Sequence, residues 1–520
     1  MNNYQLFSLM LIFLLTAPIA AQETERVSDP VPGELQFIGY SFTRWTGSNV
    51  SPTNDILQGQ VIGRLFGQNS TNTIPQTAVY LEQRFVPLFV YKPKILDGYA
   101  TFRGLFKIDY TWGDQAYGVG NNRGGAINGG QINLQTLMAN VDIHPDSADW
   151  NLVIGMQRLF DNARDPNVNT LGYFQNSSYK LSYWGTQAVG VSLFANLSPV
   201  TKGRIGYFQL WENEIRRNDD VALWMLDVES RVAPLVEAGA DFWYAYDRGK
   251  GFGGISVLGQ GLNSALAEYN GATRIFLPIA NNKYEADIFW TGFRTAYNRD
   301  FLAGRWQADA YIMTNYGTLD TVSSVNSNDY GSYGTIFGFA ANAAVQYKYG
   351  MTASDKVSAE LIFSSGDDNG ISDGKLNSVI TGNVYGSPVG IYSAHRAFLL
   401  FPDPQVINRY YSAVHDISNL GYGVTAGFFN YSKDLVPNKM SLKAGYAFAI
   451  SNVTPAGGTS FIGQELNAEF KYNIKVFLTL GVSAAYLKLG DFYNAPTATY
   501  DRVRPKDPWV LFTTLSWLMF

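Results

Sequence analysis

Segments of about ten residues in which apolar and polar side chains alternate recur throughout this chain. In 98–112 one parity holds Ala100, Phe102, Phe106, Ile108, Tyr110 and Trp112, and the other holds Thr101, Arg103, Lys107 and Asp109. In 235–247, Val236, Ala238, Ala240, Phe242 and Tyr244 oppose Glu237 and Asp241. Trp306, Ala308, Ala310 and Ile312 oppose Arg305, Gln307 and Asp309. Met440, Leu442, Ala444, Tyr446 and Phe448 oppose Ser441 and Lys443, while Ile462, Leu466, Ala468, Phe470 and Tyr472 oppose Glu465, Asn467, Glu469 and Lys471. A period of two is that of a strand with two unlike faces. After residue 21 no apolar run approaches the 20 or so residues that a bilayer-spanning helix needs.

Composition says how such strands close. Aromatic residues make up 15% and charged residues only 16%, against roughly 25% charged in soluble domains. A length of 520 would suit about three soluble domains, yet no Pro/Ser-rich linker divides the chain. One large closed sheet with an apolar outside accounts for both. There is no cysteine, which excludes disulfides, thiolate metal sites and a lipidated cysteine. A formal charge of −5 is the wrong sign for a nucleic-acid partner.

The two ends give direction. Leu6–Ala20 is an apolar run too short to span, followed by a cleavage-like Ile19-Ala20-Ala21, so residues 1–21 read as a signal peptide, 22–33 as a short lead and 34–520 as a β-barrel. The last strand places Val510, Phe512, Leu518 and Phe520 on one face, with Thr514 and Ser516. A terminal aromatic on an amphipathic strand resembles the signal that outer-membrane barrels present to the barrel assembly machinery. If the last strand descends to that end, short turns fall on one side: 92–97, 144–149, 198–202, the turn at Pro234, 299–302, 350–355, 433–439 and 473–475. Long connections fall on the other, notably 249–283 and 367–418. That asymmetry is that of a transmembrane barrel, which also requires an even strand number. Taking 34–46 and 76–91 as strands one and two, and 56–66 as a plug or rim element outside the wall, gives 18 strands in an antiparallel up-and-down barrel. All eleven Trp lie in or at the ends of these strands, as an interfacial aromatic girdle would place them.

Several stretches are similar to the alginate-export family of outer-membrane porins. They are L-V-I-G-M-Q-R-L-F-D at 152–161, the loop F-S-S-G-D-D-N-G-I-S-D-G-K-L at 363–376 followed by Phe401-Pro402, the span from G-Q-E-L to Y-L-K-L-G-D at 464–491, and Y-L-E-Q-R-F with Glu82 and Arg84 inward. The resemblance implies an 18-stranded barrel, and in the family's namesake a lumen rich in Arg that passes an anionic polyuronate. Here the inward face is mixed, and Met156 stands where the family has Arg.

Candidate pore-lining residues are Glu82, Arg84, Arg103, Lys107, Asp109, Glu237, Asp241, Arg305, Asp309, Lys348, Lys443, Glu465, Glu469 and Lys471, with Glu285, Asp287 and Glu360 of the same class. Asp367, Asp368, Asn369 and Asp373 are clustered oxygen donors, a weak Ca²⁺ candidate that lacks the terminal Glu of an EF-hand. His144, His395 and His415 are too scattered for a metal site, and no nucleophile elbow, zinc-protease or Walker pattern occurs. No cofactor and no enzymatic reaction are expected. The apolar content of 249–283 and 367–418 predicts that at least one folds into the barrel and narrows it. The expected function is an outer-membrane channel, in contact with membrane lipid, for small hydrophilic or anionic solutes, with anionic sugars or a polysaccharide among the candidates. The alternative is a closed barrel acting as a receptor, adhesin or assembly partner through its loops.

Overall fold

The computed structural model describes residues 34–52, 61–64, 71–112, 132–145, 148–160, 184–212, 215, 218–250, 284–322, 329–380, 382–383, 417–499, 503–520 and most of 397–414. Residues 1–33, expected to be a signal peptide and lead, nearly all of 249–283, and His395 and His415 lie outside them. Strands β1 (Leu35–Pro52), β2 (Thr71–Tyr91), β3 (Ala100–Thr111), β4 (Ile132–Ile143), β5 (Trp150–Phe160) and β6 (Trp184–Asn196) begin the wall. It continues through β7 (Thr201–Trp211), β8 (Val221–Ala233), β9 (Val236–Asp247), β10 (Tyr284–Tyr297), β11 (Trp306–Val322) and β12 (Tyr330–Lys348). It ends with β13 (Lys356–Ser364), β14 (Val424–Val436), β15 (Met440–Ser451), β16 (Phe461–Lys475), β17 (Leu478–Leu489) and β18 (Trp509–Met519).

Each strand pairs antiparallel with its neighbours in sequence, and β1 pairs with β18, from Gly39 opposite Met519 to Ser48 opposite Val510. The hydrogen-bonded sheet has twenty members, and removing the dipeptides Lys375–Leu376 and Gly382–Asn383 leaves eighteen wall strands in a closed barrel. Closure leaves no free edge, which an apolar surround demands of a sheet. Of the 56–66 segment only Val61–Arg64 is described, and it is not in the wall. That stretch pairs in parallel with Arg409–Ser412 as a separate ribbon. Hence β1 and β2 are hydrogen-bonded neighbours in the wall, and the number of wall strands is even.

Outward faces carry Trp224, Phe242, Phe293, Trp306, Phe337 and Leu466, all exposed. Four expectations require correction. The first concerns the final strand. Val510 and Phe512 are 3% exposed and face inward, while Leu511, Leu515 and Trp517 face out. Phe520 lies beyond the last hydrogen-bonded residue, and its ring packs on Phe477 at 4.9 Å between centroids. Secondly, Trp243 and Trp290 are fully buried inside the barrel rather than in a girdle. Thirdly, a bulge opposite Ala449/Ile450 turns Ile462 inward, since one extra residue inverts the alternation locally. Finally, Glu285 and Asp287 lie on the parity opposite to the buried Ala286 and Ile288, and meet Arg248 on the outward side.

A single cause explains the buried aromatics. Between β13 and β14 the chain enters the barrel. Ile371, Val379, Ile380, Phe398, Leu399, Leu400, Phe401, Val414 and Ile417 are buried against inward residues of the wall, including Trp243, Trp290, Ile336, Phe428 and Phe512. Phe398 stacks edge-on to Phe512 at 5.2 Å and Phe401 to Phe428 at 5.1 Å. The wall can afford apolar inward residues here because the inserted segment, not water, covers them. The chain returns to the wall through Gly423, whose φ of 66° favours glycine, and where a Cβ would lie 2.5 Å from the Ser364 carbonyl oxygen.

Candidate functional site

The lumen and the segment seated in it form the candidate site. Three groups of wall side chains hold the segment. The first is Glu465 on β16, which is fully buried. Its Oε1 accepts the Phe398 N–H at 2.9 Å, and its Oε2 accepts Leu399 N–H at 2.9 Å and Leu400 N–H at 2.6 Å. Asn467 Nδ2 donates to Oε1 at 2.8 Å. Successive backbone amides converge on this carboxylate as they do in an anion nest. The second is Arg44 on β1, whose Nη1 meets Asp403 Oδ2 at 2.6 Å and donates to the Gln405 carbonyl at 3.2 Å. Its guanidinium lies 3.9 Å from the Phe512 ring centroid. The third is the pair around Ile380, whose carbonyl accepts from Trp290 Nε1 at 2.8 Å and whose N–H donates to Asn315 Oδ1 at 3.0 Å. Ser364 Oγ adds a 2.5 Å bond to the Ile417 carbonyl.

The remaining lumen wall is polar and paired. Arg84 and Asp109 lie opposite one another on β2 and β3 and form two parallel bonds, Nε to Oδ1 at 2.7 Å and Nη2 to Oδ2 at 2.8 Å, with both side chains 1% exposed. Arg103 meets Asp142 at 2.7 Å, Arg204 meets Asp227 at 3.0 Å, and Arg299 meets Glu237 at 2.9 Å. Arg294 binds Asp241, and Glu229 lies 3.9 Å from it. Lys471 meets Glu469 at 2.9 Å, with Lys443 opposite Glu469 in register. Glu360 accepts from Asn342 Nδ2 at 2.7 Å. Cross-strand pairing of unlike charges lets each carry its charge without facing the lumen alone.

The other sequence candidates fall as follows. Glu82 is fully buried opposite Arg44 in register, and Lys107 is buried on the inward parity of β3. Asp309 borders a small recess with Arg294 and Arg299. Lys348 is half-buried at the inner end of β12. Arg305 is not in the lumen: it is exposed in the short turn before β11, where Nη1 donates to the Tyr349 carbonyl at 3.1 Å. In the same inner set of turns, the Thr352 side chain beside Asp355, with the Asp434 and Thr352 N–H groups donating to its carboxylate at 3.2 and 3.4 Å, holds that carboxyl below the usual range.

The Asp367 group is a hydrogen-bonded turn. Asp367 accepts the Asn369 N–H at 3.0 Å and the Asn377 N–H at 2.7 Å, and Asp373 accepts the Lys375 N–H at 2.9 Å. Among the described residues no three His, Asp or Glu side chains are grouped for a metal. Sequence reasoning missed Arg44, Arg294, Trp243 and Trp290. Trp243 shares its parity with Asp241, so the alternation carried the signal for that residue. Nothing local announced Asp403, which acts 359 positions from Arg44.

No protein-family model and no curated protein matches the sequence. Solved structures of similar shape exist. OccAB1 of Acinetobacter baumannii has a TM-score of 0.48 and 10% identity, covering 93% of this chain and 97% of that one. OccAB4 of the same organism has 0.47 and 10%, covering 94% and 99%. OccK2 (OpdF) of Pseudomonas aeruginosa has 0.46 and 12%, covering 93% and 98%. Likeness this remote carries no argument about cargo, and the alginate-export resemblance gains no match. The eighteen-strand closed barrel rests on the hydrogen-bond register of this chain itself.

Proposed function

We propose that this chain is an outer-membrane channel for small hydrophilic solutes, narrowed by its own inserted segment. The observation that carries the reading is the contrast within one barrel: an apolar outward face, and a lumen wall of ion pairs crossed by a segment that the wall holds through a few polar contacts. Residues 1–21 direct export, and the barrel sits in the outer membrane with lipid around it. No chemistry is assigned to it. An anion selector needs an excess of cations at its constriction. Arg84, Arg103, Arg204, Arg294 and Arg299 each face a carboxylate, so uncharged or zwitterionic solutes fit better than a polyuronate. The measurement is single-channel recording in a KCl gradient. A reversal potential near zero is expected, and strong anion selectivity would restore the anionic-sugar cargo.

One observation favours a second reading, a barrel closed at rest that serves as a receptor. Leu399, Leu400 and Phe401 are fully buried, so the segment seals what it touches. Under that reading the intact protein stays silent at every voltage, and only removal of the segment opens it.

Phe520 enters this proposal as the residue read by the assembly machinery. Its ring is exposed except where it meets Phe477, so Phe520→Ala removes little packing. The expected result is a lower yield in the outer-membrane fraction with an unchanged melting temperature for the protein that does insert. An unchanged yield would remove Phe520 from this role.

A further inference from the structure

Where β1, β2, β17 and β18 reach the outer rim, a groove of about 780 Å³ opens, lined by Asn49, Thr77, Trp509 and the cations Lys488, Arg504 and Lys506. It lies on the outward side. Lys488 continues the parity of Val482 and Tyr486, both exposed, and Asn49 continues that of Trp45. The groove is built rather than incidental, because the chain before β18 is clamped across it. Asn49 Nδ2 donates to the Asp507 carbonyl at 3.0 Å and Asn49 Oδ1 accepts the Trp509 N–H at 2.8 Å. Lys506 N–H donates to Thr73 Oγ1 at 2.7 Å.

Asp507 sets the position of the first cation. Its carboxylate accepts from Lys488 Nζ at 2.8 Å, Tyr486 Oη at 2.9 Å and the Leu489 N–H at 2.9 Å. Partial burial works against the charged form, but these bonds hold the Asp507 carboxyl below its usual range. Arg504 donates to the Gly490 carbonyl at 3.1 Å and faces Asp491 at 3.5 Å. Three cations thus stand against two carboxylates. An ammonium has three donors and a guanidinium five, so Lys488 and Arg504 keep donors for a further acceptor.

Directly below, on the same outward face, run Tyr486, Val482, Leu511, Leu515, Trp517 and Trp45, all exposed. A basic groove capping an apolar, aromatic-edged stripe matches a molecule with an anionic head and long apolar chains. We infer that the groove binds the phosphorylated sugar headgroup of an outer-leaflet glycolipid, whose acyl chains lie along the stripe. The inference rests on the membrane reading of the outward face.

The test is native mass spectrometry and titration of the full-length protein in detergent. The probes are a bis-phosphorylated acylated glucosamine disaccharide, the same lipid without phosphates, and inorganic phosphate. The phosphorylated lipid is expected to remain bound, and the dephosphorylated lipid to be lost. The triple variant K488Q/R504Q/K506Q should bind about a hundredfold more weakly, as removal of three juxtamembrane cations implies. Retained heat-dependent gel mobility of the variant shows that it folds, and the single variant K506Q, which keeps the backbone N–H bond to Thr73, gives the same direction if the triple does not. Equal binding of both lipids, or equal binding by wild type and variants, overturns the proposal. Competition by inorganic phosphate at equal concentration would make it a plain anion site and overturns the lipid assignment. A protein that inserts and conducts but shows no lipid preference refutes the groove alone. One that does not insert refutes the membrane reading beneath it.

Discussion

Glu465→Ala is expected to unseat the inserted segment and to raise single-channel conductance, with larger and noisier open levels than wild type. The substitution leaves the N–H groups of Phe398, Leu399 and Leu400 without their acceptor inside the barrel. An unsatisfied buried donor costs about 1–3 kcal/mol. Even with water entering to replace part of the loss, a net of about 3 kcal/mol shifts a seated-to-unseated ratio by roughly a hundredfold. The wall itself is untouched, because β16 keeps its backbone bonds to β15 and β17. Glu465→Gln retains one carbonyl acceptor and should give an intermediate trace. Conductance indistinguishable from wild type in Glu465→Ala, with full insertion, would show that the clamp does not hold the segment.

Arg84→Ala should be the most destabilising single change in the wall. Arg84 and Asp109 are nearly inaccessible to solvent and joined by two bonds. Removing one partner strands a charge, at about 3–5 kcal/mol. The double variant R84M/D109L should recover most of that loss, since a buried pair replaced by apolar groups of similar volume is often neutral. Urea midpoints of the folded barrel in detergent measure both. If the double variant is as unstable as Arg84→Ala, the pair is held for a reason other than mutual neutralisation.

The wall was legible because its physics is local. An outward Phe242 beside an inward Asp241 states the strand face within two residues, and the contrast between short and long connections fixed direction and an even count. The demotion of 56–66 followed from parity and agrees with the ribbon that Val61–Arg64 forms. The family resemblance reached the same strand number. The contents of the lumen were legible only in outline. The apolar composition of 367–418 announced that it must be covered, and Phe398, Leu399, Leu400, Phe401 and Ile407 are, yet no pattern named its partners. Glu465 looked like one more pore-lining charge, and its three amide donors come from residues 65–67 positions away. Val510 and Phe512 were misleading for the same reason. Inward apolar residues in a water-filled barrel make no sense until the segment that dries them is in place. Arg305 shares the parity of the buried Gln307, but the strand starts only at Trp306 and leaves it in the turn.

The inserted segment also sets an order in time. Its contacts join Asp403 to Arg44 near the beginning of the wall and Leu400 to Glu465 near the end, while Arg409–Ser412 needs Val61–Arg64 as its strand partner. Leu400 and Glu465 are 65 positions apart and Arg44 and Asp403 are 359 apart, so the loop-closure entropy of the second contact is met only after nearer pairings have formed. The seam between β1 and β18 pairs residues further apart still, from Gly39 with Met519 to Ser48 with Val510. By that order the Glu465 clamp forms early, the Arg44 anchor later and the seam last, so a barrel caught before its seam is joined would be open-edged yet already partly filled.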